Sequence, residues 1–312
     1  MEYRNLGRSG LQVSVVGLGC NNFGRRCDAQ QSQAIVDQAL DLGINLFDTA
    51  DSYGPGGLSE EYLGQALAGR RQQAVIATKF ASPMGEGPMR GGGSRRYIMQ
   101  AVEDSLRRLG TDYIDLYQVH FPDAKTPLEE TLRALDDLVR DGKVRYLGHS
   151  NFAGWQIASS HWIAETRNLA PFISAQNQYN LLQRGVEREV NPACEAFGVG
   201  MLPYFPLASG LLTGKYRRGE DPPEGTRLSS GGMAAMVLTD DNFDKVERLE
   251  EFAQSHGHSL LELAIGWLAS QPVVASVIAG ATKPEQVEQN VQAVAWTLDA
   301  TERAEIDSIT RG

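Results

Sequence analysis

The sequence predicts an α/β chain folded as a (β/α)8 barrel, and three observations carry that expectation. Eight short apolar runs of strand length recur along the chain, segments with apolar residues every three or four positions lie between them, and chemically active residues follow the ends of successive runs. A repeated helix and strand alternation favours a parallel sheet closing as a barrel. Groups at strand C-termini then converge on one face.

Taken in order, two extended pieces around 2–5 and 11–13, joined through "GRSG", read as a β-hairpin closing the bottom of the barrel. Strands are expected over 15–18, 44–47, 74–78, 114–119, 144–148, 173–176, 200–203 and 274–278. Amphipathic segments such as 30–42, 95–109 and 128–141 form the outer ring, and a final helix is expected over 301–310. Segment 209–241 is too long and too rich in Gly and Pro for an ordinary connection, so a lid or binding loop is expected there. The glycine-rich "MGEGPMRGGGSRR" is a second such loop. No repeat or linker interrupts the 312 residues, so one TIM-barrel domain over 1–312 is expected; such barrels run to about 250 residues or more.

A net charge of −10, with Arg95–Arg96 and Arg217–Arg218 as short solvent-facing basic pairs, argues against a nucleic-acid partner. No apolar stretch is long enough to cross a bilayer, and "MEYRNLGRSG" has neither the basic segment nor the apolar core of an export signal. A cytoplasmic location is expected. Cys20, Cys27 and Cys194 lack metal-ligand spacing and read as unpaired, inert thiols; His161, His256 and His258 read as surface or cap residues, and no metal is expected. Trp155, Trp162, Trp267 and Trp296 read as core or helix-packing residues.

Asp48 and Tyr53 follow "GINLF", Lys79 ends "AVIATK" and His120 ends "YIDLYQVH", so consecutive strands supply four polar groups to one end of the barrel. Taken singly, each is more simply a surface or hydrogen-bonded core residue. The ordered set reverses that. A phenol is a poor acid near neutrality unless an adjacent cation stabilises its phenolate, and Lys79 is placed to be that cation. Asp48 would hold the ammonium while His120 orients a carbonyl oxygen against Tyr53, which is proton donation during carbonyl reduction.

With these residues in order, the sequence resembles the aldo-keto reductase superfamily, whose Asp, Tyr, Lys and His tetrad matches Asp48, Tyr53, Lys79 and His120. The resemblance covers essentially the whole chain. It runs from "YRNLGRSGLQVSVVGLG" through "FDTADSYG", "ATKF", "YQVHFPD", "GHSNF", "AQNQYNLLQR" and "PYFPLASGLLTGKY" to "VIAGATKPEQVEQN". Since "VVGLGCNN" has Asn22 where a dinucleotide fingerprint needs its third glycine, a Rossmann site is not expected.

The resemblance instead implies nicotinamide binding across the barrel top, with Ser150, Asn151 and Gln176 on the carboxamide and Tyr204 against the ring. It places the pyrophosphate on Pro206, Leu207, Ala208, Ser209, Gly210 and Lys215, beneath the long cofactor-covering loop. The adenosine end maps onto Gly280, Thr282, Lys283, Gln286, Gln289 and Asn290, with Thr282 and Lys283 just before a helix N-terminus. Lys215, Arg227 and Lys283 favour NADPH over NADH, because a 2′-phosphate needs cationic donors. Gln286 departs from the Arg that many members carry there. Strand-end hydrogen bonding without a ligand is the alternative for Ser150 and Asn151, and packing is the alternative for Tyr204.

Asn22, Phe23, Met84 and Phe121 are expected to line the substrate pocket, left open because no long C-terminal tail follows the last helix. His149 stands where the family commonly has Val or Ile; it either hydrogen-bonds inside the barrel or reaches the cofactor, the structural option being preferred. The expected partner is a small-molecule carbonyl substrate, with homo-oligomerisation open. The rival is an NADPH-binding redox sensor or regulatory subunit, because the chain also resembles the β subunits of voltage-gated potassium channels. No extension ahead of the hairpin and no obvious partner-binding patch argue against it. A barrel hydrolase is disfavoured, since no suitable carboxylate pair lies at the strand ends.

Overall fold

The computed structural model describes residues 1–229, 232 and 234–311. An antiparallel hairpin comes first, with β1 (Tyr3–Asn5) paired to β2 (Gln12–Ser14). The parallel strands follow: β3 (Val16–Gly19), β4 (Leu46–Asp48), β5 (Val75–Phe80), β6 (Ile114–Val119), β7 (Val144–Ser150), β8 (Phe172–Gln176), β9 (Gly200–Met201) and β10 (Val277–Gly280). They pair in chain order from β3 to β9, with β10 beside β3. Hydrogen bonds from Met201 N to Val273 O (2.8 Å), Ala275 N to Met201 O (2.9 Å) and Ile278 N to Pro203 O (3.1 Å) join the two edges. The result is a (β/α)8 barrel with an N-terminal hairpin.

Around the sheet lie α1 (Ala29–Asp41), α2 (Leu58–Ala66), α3 (Arg95–Leu109), α4 (Leu128–Arg140), α5 (Gly154–Arg167), α6 (Val190–Phe197), α7 (Ala234–Val237), α8 (Asp240–Ser255), α9 (Leu260–Ala269), α10 (Pro284–Gln292) and α11 (Ala300–Thr310). Several begin at reciprocal caps, such as the Asp28–Gln31, Ser259–Glu262 and Asp299–Glu302 boxes. Among the described residues no helix is long and apolar enough to cross a membrane.

The strand boundaries move for local reasons. β4 starts later than expected because Ile44 N closes on Ala39 O behind α1 and Asn45 Oδ1 accepts from Ser14 N. β10 starts later because Val274 N turns back to Gln271 O. Segment 209–241 is less irregular than its composition suggests, holding α7 and the start of α8 after an opening turn in which Ser209 and Gly210 have positive φ; its residues 230, 231 and 233 lie outside the described residues.

Strand alternation splits the core in two. Inside the barrel, Leu46, Ala77, Leu116, Leu202, Ala275 and Ile278 pack with Leu6 and Val13 of the hairpin. The opposite faces, including Phe47, Ile76, Tyr117, Leu147 and Met201, join the larger cluster shared with the helices. The hairpin seats closely because Gly7 adopts φ 58°, and any Cβ there would come within 2.5 Å of Gly198 O. Trp267 and Trp296 are buried, but the expected packing role of Trp155 and Trp162 fails: they stand 66% and 57% exposed on α5. They are seven positions apart in the sequence and so share one helix face.

His149 points out of the barrel, parallel to the Phe152 ring at 4.5 Å and edge-on to Phe172 at 5.2 Å. Neither ring nitrogen has a hydrogen-bond partner, and burial pushes its pKa from 6.5 down to about 3. The unfolded chain therefore takes up a proton as pH falls through 6.5, whereas the folded chain does not until about 3. Stability is lost across that window by up to about 1.4 kcal/mol per pH unit. In His149→Val, the variant should gain on wild type as urea unfolding is repeated from pH 6.5 downwards; parallel curves would show that His149 is not the titrating group.

Candidate active site

β4 to β6 carry the site because every second residue of a strand faces the barrel interior. Above Leu46, Ala77 and Leu116, the next inward positions are Asp48, Lys79 and Gln118, so an apolar layer gives way to a polar one toward the C-terminal end. Lys79 lies within β5, one residue before its end, and is fully buried. Its Nζ donates to Asp48 Oδ2 at 2.6 Å, to Thr49 O at 2.8 Å and to the Tyr53 hydroxyl oxygen at 3.4 Å. Asp48 Oδ1 accepts from Gln176 Nε2 at 2.8 Å and Gln118 Nε2 at 3.3 Å.

Burial is the largest influence on the Lys79 ammonium and pushes its pKa down, but Asp48 and Tyr53 together hold it above the ordinary value. Lys79 is thus a fixed cation. Tyr53 departs from the simple expectation: burial raises its pKa more than Lys79 lowers it, so the phenol keeps its proton. The His120 ring sits edge-on to Tyr53, centroids 5.7 Å apart, with Nδ1 3.1 Å from Ser82 Oγ. Burial, then Lys79, drives its pKa to about 3, so the imidazole is neutral. Two neutral donors and one buried cation meet at the barrel mouth.

Ser150, Asn151, Gln176 and Tyr204 form a connected group beside this layer. Ser150 Oγ donates to Gln176 O (2.8 Å), Asn151 Nδ2 to His120 O (3.0 Å), and the Tyr204 hydroxyl to Asn151 Oδ1 (2.8 Å). Pro206, Leu207, Ala208, Ser209 and Gly210 follow as a tight turn in which Ala208, Ser209 and Gly210 have φ of 45°, 60° and 96°. A Cβ at Gly210 would lie 2.5 Å from Lys215 Cε, so glycine there lets the lysine cross the turn.

Facing that turn, Arg227 lies over the Phe205 ring at 5.2 Å, and Arg26, unflagged by the sequence, donates to Gly225 O. Desolvation pushes the Lys215 and Arg227 pKa values down, and the charges adding to this are cations: Arg26 and Arg227 on Lys215, Arg26 and Arg25 on Arg227. Among the described residues, no carboxylate is among the main influences on either. At the far end, Gln286 Oε1 accepts from Thr282 N (2.8 Å) and Oγ1 (3.2 Å); Asn290 is buried, whereas Gly280, Lys283 and Gln289 are exposed.

The expected substrate-pocket residues divide. Phe121 is half exposed and stacks on His120 at 4.7 Å, and Met84 is half-buried in the glycine-rich loop. Phe23 is wholly buried in the apolar core and offers no surface to a substrate. Asn22 is also buried, its Nδ2 donating to Ala281 O (3.1 Å) and its Oδ1 accepting from Arg227 (3.3 Å), so it ties the β3 end to the cationic loop. Gln118 and Ser82 went unremarked in the sequence; Gln118, two residues before His120, shares its strand face with Leu116. Cys20, Cys27 and Cys194 are free and buried, and burial raises each thiol pKa.

Lys79→Met would leave Asp48 buried without its cation, a loss of about 3–5 kcal/mol in urea unfolding. Adding Asp48→Leu should recover a good part; a double variant as unstable as the sum of the singles would mean the two charges are uncoupled.

The sequence pattern of the Aldo/keto reductase family matches residues 15–311. Among curated proteins, the chain is 40% identical to a rice (Oryza sativa subsp. japonica) probable voltage-gated potassium channel subunit beta, covering 94% of this chain and 91% of that one. It is 37% identical to the L-glyceraldehyde 3-phosphate reductase of Escherichia coli (strain K12), covering 98% and 92%. With the versiconal hemiacetal acetate reductase of Aspergillus parasiticus the identity is 37%, over 97% and 95%. The chain belongs to the aldo/keto reductase family.

Proposed function

We propose that this protein is an NADPH-dependent carbonyl reductase that converts an aldehyde or ketone to the alcohol, with Tyr53 as proton donor. Family membership and reductase-named relatives support oxidoreductase activity. The observation that carries the finer reading is the Lys79 ammonium, buried between Asp48 Oδ2 at 2.6 Å and the Tyr53 oxygen at 3.4 Å, with neutral His120 edge-on to the same phenol.

In this mechanism Lys79 donates to the Tyr53 oxygen and stabilises the phenolate that forms when the proton leaves. Asp48 keeps Lys79 charged and in place, itself oriented by the amides of Gln118 and Gln176. His120 hydrogen-bonds the carbonyl oxygen, so charge developing there meets donors already positioned. Bound NADPH would supply the hydride. Two observations support that cofactor: among the described residues Arg26, Lys215 and Arg227 form a cationic group with no ion-paired carboxylate, which suits phosphate oxygens, and Ser150, Asn151, Gln176 and Tyr204 border the polar layer where a nicotinamide would lie. Thr282, Lys283, Gln286, Gln289 and Asn290 would take the adenosine end.

The potassium-channel-subunit relatives favour a second reading, an NADPH-binding sensor or regulatory subunit with little turnover. Oxidation of NADPH with a panel of aldehydes, ketones and quinones separates the two. Tyr53→Phe should lower turnover by about 10²- to 10⁴-fold while NADPH binding, measured by fluorescence titration, is kept. Undiminished turnover in that variant would remove Tyr53 as proton donor; tight NADPH binding without turnover in the wild type would favour the sensor. Lys215→Ala and Arg227→Ala should each weaken NADPH about tenfold more than NADH. Equal weakening would mean the cations serve the shared pyrophosphate alone.

A further inference from the structure

Behind His120, a sharply turned stretch brings the Ser82 hydroxyl against the ring. Ala81 adopts φ 85°, a left-handed conformation that a residue with a Cβ holds only when its surroundings enforce it. Here Gly92 N donates to Ala81 O at 2.9 Å, and the Tyr97 hydroxyl reaches both Ser82 O and Asp51 Oδ2 at 3.4 Å. The ring is fixed from its own side too, by His120 N to Phe80 O at 2.8 Å, Asn151 Nδ2 to His120 O at 3.0 Å and the parallel Phe121 ring. Ser82 Oγ and His120 Nδ1 are then 3.1 Å apart, both buried.

We infer that Ser82 is a positioning residue: its hydroxyl donates to His120 Nδ1 and so holds the imidazole in the tautomer with its proton on Nε2. The inference rests on the reductase reading for its consequence, though its geometry does not. A neutral imidazole carries one ring proton, so exactly one nitrogen can donate. If Nδ1 held that proton, Nε2 would be an acceptor and repel a carbonyl oxygen, while the buried Ser82 hydroxyl proton would lack the ring acceptor now beside it. With Ser82 donating, both groups are satisfied. Nε2–H then becomes a second donor beside Tyr53, whose oxygen already accepts from Lys79. Burial, and after it Lys79, reinforces this by disfavouring a doubly protonated ring.

The test uses two-bond nitrogen–proton correlation spectra of the ¹⁵N-histidine-labelled full chain, with the His120 signals assigned by their loss in His120→Asn. Wild type should show the Nε2–H pattern at His120, Ser82→Ala should shift toward Nδ1–H or a mixture, and Ser82→Thr should restore the wild-type pattern. In parallel, kcat/KM for carbonyl reduction should fall about ten- to a hundredfold in Ser82→Ala and return in Ser82→Thr, with the KM for NADPH unchanged. A wild-type His120 protonated on Nδ1, or a Ser82→Ala spectrum identical to wild type, overturns the inference. Absence of carbonyl turnover in the wild type would instead strike the reductase reading, and the spectra alone would then decide the role of Ser82.

Discussion

Burying the Lys79 ammonium inside a barrel is the constraint around which the upper half of this protein is organised. A charge taken out of water is tolerated only when paired and hydrogen-bonded. Asp48 and Thr49 O supply those contacts directly, and Gln118 and Gln176 bind the oxygen of Asp48 that Lys79 leaves over. The four side chains come from β4, β5, β6 and β8, so the full set of contacts forms only when these strands close into one barrel at the observed register. Stability alone does not call for an ion pair here, since well-packed apolar residues often replace buried ion pairs at little cost. What the ion pair provides is a cation of fixed position beside Tyr53.

The lower half meets the opposite demand. Leu6 and Val13 of the hairpin fill the end of the barrel interior against Leu46, Ala77 and Leu116, so water is kept from the underside of the polar layer. Above that layer the backbone takes up strain. Of the described non-glycine residues with positive φ, Ala81, Asn151, Phe205, Ala208 and Ser209 all lie in loops that follow barrel strands, the exception being Asn168 at the end of α5. Conformations of this kind persist where surrounding contacts over-determine them and gather at functional sites. Here they turn Ser82 toward His120, Asn151 toward Tyr204, and the 205–210 segment toward the cations of Lys215 and Arg227.

The fold was legible because its signals are local and periodic. Apolar runs at strand length mark β6 at its observed limits, and apolar residues every three or four positions mark α3 at its observed limits. Where local pattern misled, a longer-range contact decided. Ile44 is as apolar as a strand residue, yet its amide closes the turn behind α1. Trp155 and Trp162 look like packing residues by type, and nothing in their sequence surroundings announces that α5 turns them to solvent.

By itself, the sequence determined the order of elements, the residue types at the strand ends and the family resemblance they carry, because period and spacing are properties of neighbouring residues. The tertiary structure decided what those residues experience. Phe23 and Asn22 adjoin in sequence, but one enters the apolar core while the other bridges Ala281 and Arg227. Gln118, Ser82 and Arg26 gained meaning only through partners 70, 38 and 199 residues away. The balance of burial against charge that keeps Tyr53 protonated, Lys79 charged and His120 neutral is likewise a property of packing. Desolvation and Coulomb interaction depend on distances in space, and these exist only once the barrel has closed.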